Sequence, residues 1–251
     1  MIPHHEVAGT SDDPVLVLSN SLGTSLAMWE PQLPRLTERY CVVRYDQRGH
    51  GDSSAPPGPY TFAELGADVL DLLDALGSER VLFCGLSMGG MTGMWLAAHA
   101  PARIERLVLA STSAQLGSPQ LWTERAALVR ERGTDAIADT ALGRWFTPDF
   151  RARESQTVER FRETLVATPR EGYAACCEAI RDWDIRDLLR SIDAPTLVLA
   201  GADDPSTPPE HGELIAARVP DARLVVLPDA AHLANVEQAD LFTNAVLEHL
   251  V

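Results

Sequence analysis

The sequence predicts an α/β domain: a mostly parallel sheet covered by helices on both faces. Three observations point there. Short, continuous apolar runs recur along the chain, helical patterns separate them, and a glycine-flanked serine sits between one such run and the helix after it. A run that is apolar at every position, rather than at alternate ones, fits a strand buried on both faces.

The elements follow in order. Val15-Leu16-Val17-Leu18 is the first such strand and residues 40–45 the second. Residues 62–76 carry apolar side chains at helical spacing (Phe62, Leu65, Val69, Leu72, Leu73, Leu76) and stop at Gly77, a residue type that ends helices. Residues 81–84 form the third strand, and a helix is predicted over about 91–100. Residues 106–110, 196–200 and 224–227 supply the remaining strands, and a last helix starts near Ala239. Between about 118 and 192 the rhythm changes. This stretch has helical patterning, no convincing strand, many arginines and three of the five tryptophans: Trp122, Trp145 and Trp183. The expected organisation is a core of residues 1–117 and 192–251, with residues 118–191 as a helical cap over one end of the sheet.

The serine turn reads Gly85-Leu86-Ser87-Met88-Gly89. A serine on a sharp strand-to-helix turn sits in a strained conformation, and side chains two residues to either side would collide, so glycine is needed at both places. The turn exposes the Ser87 hydroxyl and brings backbone N–H groups at a helix N-terminus beside it, where they can stabilise an anion.

Composition narrows the functions. The 251 residues are 45% hydrophobic, enough for a large core, and no apolar run approaches the ~18 residues of a membrane span. Residues 1–6 lack the basic and apolar regions of a secretion signal. The four cysteines, at 41, 84, 176 and 177, have no metal-ligand spacing, and reduced, buried thiols in a cytoplasmic protein are expected. A formal net charge of −15 without any basic tract argues against nucleic-acid and anionic-membrane partners. It also requires that an anionic substrate find its own local cation.

A serine hydroxyl is a weak nucleophile unless a base lies within hydrogen-bonding reach and an acid orients that base. Of seven histidines, His4 and His5 lie at an end expected to be mobile, and His99, His211 and His249 fall in helical contexts. His50 follows a strand, in Arg48-Gly49-His50-Gly51. His232 comes just after the strand at 224–227, in a loop at its carboxyl end, where open α/β sheets place their ligands. The acid is sought in the same way. Asp203 and Asp204 both end the strand at 196–200; Asp204 is preferred because Pro205 fixes the chain just past it, and Asp203 stays open as the alternative.

With Ser87, Asp204 and His232 in that chain order, the sequence resembles an α/β-hydrolase, and within that superfamily the 3-oxoadipate enol-lactonases. The resemblance is carried by Ser19-Asn20-Ser21-Leu22-Gly23-Thr24, Tyr45-Asp46-Gln47-Arg48-Gly49-His50-Gly51 and residues 85–90. In the insertion it is carried by Arg144-Trp145-Phe146-Thr147-Pro148 and Gly172-Tyr173-Ala174-Ala175-Cys176-Cys177, and near the end by Ala231-His232-Leu233-Ala234-Asn235-Val236-Glu237-Gln238. Many relatives have His-Gly where this chain has Ser19-Asn20. Some lactonases of this kind are fused to a carboxymuconolactone decarboxylase domain, and the 251 residues contain no such segment.

The resemblance implies a Ser87–His232–Asp204 triad, an acyl-enzyme, and no metal or cofactor. It implies an oxyanion hole made by the backbone N–H of Met88 and one from the loop after residues 15–18; counting from Gly23 favours Ser21, with Leu22 as the alternative. The implied substrate is a small lactone bearing a carboxylate, which an arginine should bind. Arg144, beside Trp145, leads; Arg125 near Trp122, and Arg181 near Trp183, follow. Trp145 and Trp122 are candidate pocket walls, while Arg48 should brace the active-site loops. The competing expectations are a broad carboxylesterase, a cofactor-free haloperoxidase or perhydrolase, and, from another class, a non-catalytic ligand receptor on the same fold.

Overall fold

The computed structural model describes residues 1–251. Seven strands form one sheet: β1 (His5–Ala8), β2 (Val15–Ser19), β3 (Cys41–Tyr45), β4 (Val81–Leu86), β5 (Ile104–Ala110), β6 (Thr196–Gly201) and β7 (Ala222–Leu227). Their spatial order is β1-β3-β2-β4-β5-β6-β7; β1 runs antiparallel to β3 and every other pair is parallel. Five of the apolar runs become inner strands, and β4 and β6 are buried along their whole length; the run at 224–227 instead becomes β7, a half-exposed edge strand paired only with β6.

Eleven α-helices complete the chain. The first three are α1 (Leu33–Leu36), α2 (Phe62–Ala75) and α3 (Met88–His99). Between β5 and β6 come α4 (Pro119–Arg132), α5 (Ala138–Trp145), α6 (Pro148–Arg153), α7 (Ser155–Ala167) and α8 (Arg170–Arg181); α9 (Pro209–Arg218), α10 (Ala234–Glu237) and α11 (Ala239–His249) follow. The stretch expected to be helical is therefore helical, with no strand. Helix α2 opens on a capping box in which the Thr61 side chain accepts from the Glu64 N–H and Glu64 answers at the Thr61 N–H. No helix is long and apolar enough to cross a membrane. All four cysteines are free and buried.

Two expectations change. The N-terminal segment is not loose: β1 pairs with β3 from His5↔Tyr45 to Ala8↔Val42, the Met1 ammonium reaches Asp68 (2.8 Å) and Asp71 (2.6 Å), and His4 Nδ1 lies 3.0 Å from Asp46 Oδ2. The strand escaped the sequence reading because it is a half-exposed edge strand without an apolar run. The helix expected from about residue 91 starts at Met88, directly after the serine.

The sheet order has one consequence for function. From β2 the chain steps outward to β3, then returns to the far side of β2 for β4. Strand order reverses there, so a crevice opens outside the carboxyl ends of β2 and β4. Ser19-Asn20-Ser21 leaves one of those ends and Leu86-Ser87 the other.

Candidate active site

Ser87 has φ 57° and ψ −114°, outside the regions open to ordinary side chains, which costs on the order of 1–3 kcal/mol. The surroundings hold it there. Its N–H donates to Ala110 O (2.8 Å), and Thr112 Oγ1 donates to its carbonyl (2.7 Å). Both flanking glycines are sterically required: a Cβ at Gly85 would lie 2.2 Å from Gly89 O, and one at Gly89 would lie 2.2 Å from Ser19 O. The same close approach lets Gly89 N–H donate to Asn20 O (2.9 Å), joining the serine turn to the loop after β2.

That loop is fixed mainly through Asn20. Its amide donates to Tyr45 O (2.7 Å) and accepts from Trp29 Nε1 (2.9 Å), and its carbonyl also receives the Gln47 amide. Asn20 thus uses its own side chain to tie β2 to β3 and to the helical segment beyond. Further along, Gly23 N–H donates to His50 Nε2 (2.9 Å), so His50 carries its proton on Nδ1, facing Arg48 O (3.3 Å). Burial pulls His50 from 6.5 down to about 4 and keeps the ring neutral, as that acceptor role demands. Arg48 braces this region as expected, with Nε and Nη2 2.8 and 2.7 Å from the Asp68 carboxylate.

The two backbone donors differ from expectation at one place. The Ser21 N–H is directed at Met28 Sδ (3.4 Å), whereas the Leu22 N–H has no partner. Counting back from Gly23 placed Ser21 at the donor position; the turn itself leaves Leu22 free. The Met88 N–H, first in α3, is likewise without a partner, as first-turn donors of a helix are.

Asp204 lies in the turn after β6 and is buried. Its Oδ1 accepts from the N–H groups of Ser206 (2.8 Å) and Thr207 (3.1 Å). Its Oδ2 accepts from Thr207 Oγ1 (2.7 Å) and lies 2.8 Å from His232 Nδ1. Burial alone would raise this carboxyl. The charge and hydrogen bond of His232, with the Thr207 and Ser206 donors, outweigh it and hold Asp204 below the ordinary carboxylate range. Asp203, the alternative, is exposed and lines a different cavity.

Ser87 and His232 both face a cavity of about 300 Å³ under the inserted helices. No hydrogen bond joins them in this structure; such contacts often tighten only around substrate. Ser21 and Leu22 border one side. Trp122, Arg125, Arg144, Trp145 and Tyr173 come from α4, α5 and α8, so the insertion supplies much of the wall. The lining includes no carboxylate, and neither Arg125 nor Arg144 is in an ion pair. The Arg125 guanidinium sits over the Trp122 ring (5.1 Å to its centre). Arg181 is elsewhere, paired with Asp182 (2.7 Å).

One lining residue had no signal in the sequence. His211, in α9, places Nδ1 2.6 Å from Ser113 Oγ. A single histidine in an amphipathic helix resembles any other until the fold shows what it faces.

A family model described as the alpha/beta hydrolase fold matches residues 14–239. The chain is an α/β-hydrolase. It is 47% identical over 238 residues to 3-oxoadipate enol-lactonase 2 of Acinetobacter baylyi, covering 95% of this chain and 89% of that protein. Among solved structures it resembles the enol-lactonase from Burkholderia xenovorans LB400: TM-score 0.97, 46% identity, 98% of this chain and 95% of that one. A thermophilic esterase from Thermogutta terrifontis, solved with malate bound, is similar at TM-score 0.93 and 32% identity, with 98% and 92% covered.

Proposed function

We propose that this α/β-hydrolase opens 3-oxoadipate enol-lactone to 3-oxoadipate through Ser87, His232 and Asp204. The observation that carries the reading is the buried Asp204–His232 pair, 2.8 Å apart, facing the same cavity as a serine held in a strained turn. The enol-lactonase relatives supply the substrate.

Ser87 Oγ attacks the lactone carbonyl after a rotation that brings it to His232 Nε2, and the imidazole takes its proton. Asp204 holds Nδ1–H and stabilises the imidazolium. The N–H groups of Leu22 and Met88, free of other partners, receive the developing oxyanion at about 3 Å. The ring C–O bond then breaks, its electron pair stays on the ring oxygen, and His232 returns the proton there. An enol leaves more readily than an alkoxide, and its conversion to the ketone draws the reaction forward. A water activated by His232 releases the acyl group from Ser87. Every nucleophile and proton in this route comes from the chain, the substrate or water.

The substrate's carboxylate meets Arg144 or Arg125. Both are half-buried and stand in a cavity wall without acids, which offsets the repulsion expected from a −15 chain. Trp122 and Trp145 close the pocket. Residues 118–191 thus act as a cap that selects the substrate, over a core of 1–117 and 192–251 that performs the chemistry. The four buried free thiols fit a reducing compartment, the cytoplasm.

Steady-state hydrolysis of the enol-lactone, set against p-nitrophenyl acetate, tests the reading. Lactone preference well above tenfold is expected, lost with Ser87→Ala together with fluorophosphonate labelling. A smaller preference favours a broad esterase; full turnover by Ser87→Ala sinks the mechanism.

A further inference from the structure

The base and the substrate-binding wall lie in different parts of the chain, and one carboxylate joins them. Glu237 ends α10, five residues after His232. Its Oε2 accepts from the Ala231 N–H (2.5 Å), immediately before His232. Its Oε1 accepts from both the N–H and the hydroxyl of Thr147 (2.8 Å each), three residues beyond Arg144 in the inserted segment. A parallel link lies alongside: Leu233 N–H, immediately after His232, donates to Trp145 O (3.0 Å). The residues on either side of His232 are therefore tied to the two that bracket Phe146.

We propose that Glu237 is a positioning residue that sets His232 and the Arg144–Trp145 wall in one register, so that proton transfer and substrate binding share a common geometry. This rests on His232 being the base. The two ends of the bridge are not interchangeable with neutral chemistry. All three partners are donors, and a carboxylate is acceptor-only. A glutamine at this place must turn its NH₂ toward the donor at Ala231 or toward the pair at Thr147, so one end of the clasp opens whichever way it turns. A loss of placement near 1 Å costs about 10²-fold in rate.

The test compares Glu237→Gln with the parent enzyme on two substrates, with rates expressed per site titrated by fluorophosphonate. The small ester p-nitrophenyl acetate needs the base but not the carboxylate-binding wall. Glu237→Gln should lower kcat about tenfold or more for both substrates and raise KM for the enol-lactone alone. A merely structural role would lower the number of titratable sites and the melting temperature while leaving kcat per site and KM in place; that result overturns the proposal. Should Glu237→Gln fold poorly, Thr147→Val removes one donor to Glu237, together with the cap that Thr147 Oγ1 gives the Phe150 N–H of α6, and leaves the carboxylate. It should raise lactone KM severalfold, and an unchanged KM overturns the proposal equally. Ser87→Ala run in parallel separates the two ideas: turnover that survives it removes the catalytic reading itself, whereas loss there with intact Glu237→Gln kinetics rejects only the clasp.

Discussion

Replacing Asp204 by asparagine should abolish nearly all turnover while leaving the fold intact, and the hydrogen bonds around the side chain show why. Oδ1 accepts from two backbone N–H groups, those of Ser206 and Thr207. Only an oxygen can stay there, so the new amide must place its NH₂ where Oδ2 was, beside Thr207 Oγ1 and His232 Nδ1. The amide then donates to Nδ1. His232 is forced into the tautomer with its proton on Nε2, the nitrogen that should take the proton of Ser87. The asparagine keeps both backbone contacts, so little stability is lost, but the base is pointed the wrong way and its cation has lost a buried counter-charge. The equivalent change in a serine-protease triad costs about 10⁴-fold, or about 5.5 kcal/mol of barrier. A loss of similar size is expected here in kcat for the enol-lactone and in the rate of fluorophosphonate labelling, with the unfolding midpoint nearly unmoved. Activity within tenfold of the parent would refute the argument. So would an equal loss in Asp203→Asn, because Asp203 is exposed and faces a different cavity.

Two more outcomes follow from the site. Arg144→Gln or Arg125→Gln, whichever residue meets the carboxylate, should raise lactone KM about 10- to 100-fold through loss of a charge-assisted hydrogen bond, with p-nitrophenyl acetate little affected; lactone KM untouched in both variants would sink the assignment. His50 sets a pH dependence of stability. Its native value, about 4, lies below its ordinary 6.5, so above about pH 6.5 neither native nor unfolded state carries the proton and nothing is lost. As pH falls from there to about 4, the unfolded chain takes up a proton that the buried ring refuses, and stability drops by up to roughly 3 kcal/mol. His211 and His249, also lowered by burial, act in the same direction. The measurement is therefore a difference: between pH 7 and pH 4.5 the urea midpoint of the parent should fall further than that of His50→Asn, and parallel slopes would count against the assignment.

The inner strands were legible because burial on both faces leaves no room for polar side chains, so β2, β4, β5 and β6 declare themselves as apolar runs. The serine turn was legible for a steric reason: two backbones approach within a distance that only Gly85 and Gly89 permit. Asp204 differs from Asp203 in preceding Pro205, after which the chain turns Ser206 and Thr207 back onto its carboxylate. What stayed hidden depends on partners distant in sequence. Strand β1 is stabilised by β3 and by the Met1 ammonium on Asp68 and Asp71, not by its own composition. Leu22 rather than Ser21 offers a free N–H because Met28, seven residues after Ser21, takes the other donor. His211 carries no local pattern at all, and Glu237, although it lies in the Ala231–Gln238 motif, gives no sign in the sequence of its contacts with Thr147 and Ala231.

On the proposed reading, a division of labour between core and insertion lets so acidic a chain handle an anion. The charge is spread over the surface, where water and salt screen it beyond about 8–10 Å. Arg125 and Arg144 stand in a small cavity without carboxylates, where screening is weaker and a single cation outweighs distant acids. Placing these arginines on α4 and α5 rather than on the strands leaves the Ser87 turn and the Asp204 turn free to hold one rigid geometry. A wall that moves independently of the base would bind the lactone in the wrong place, and a second-order contact between the two is what such a two-part site requires. The Glu237 bridge and the Leu233–Trp145 hydrogen bond are placed to provide it.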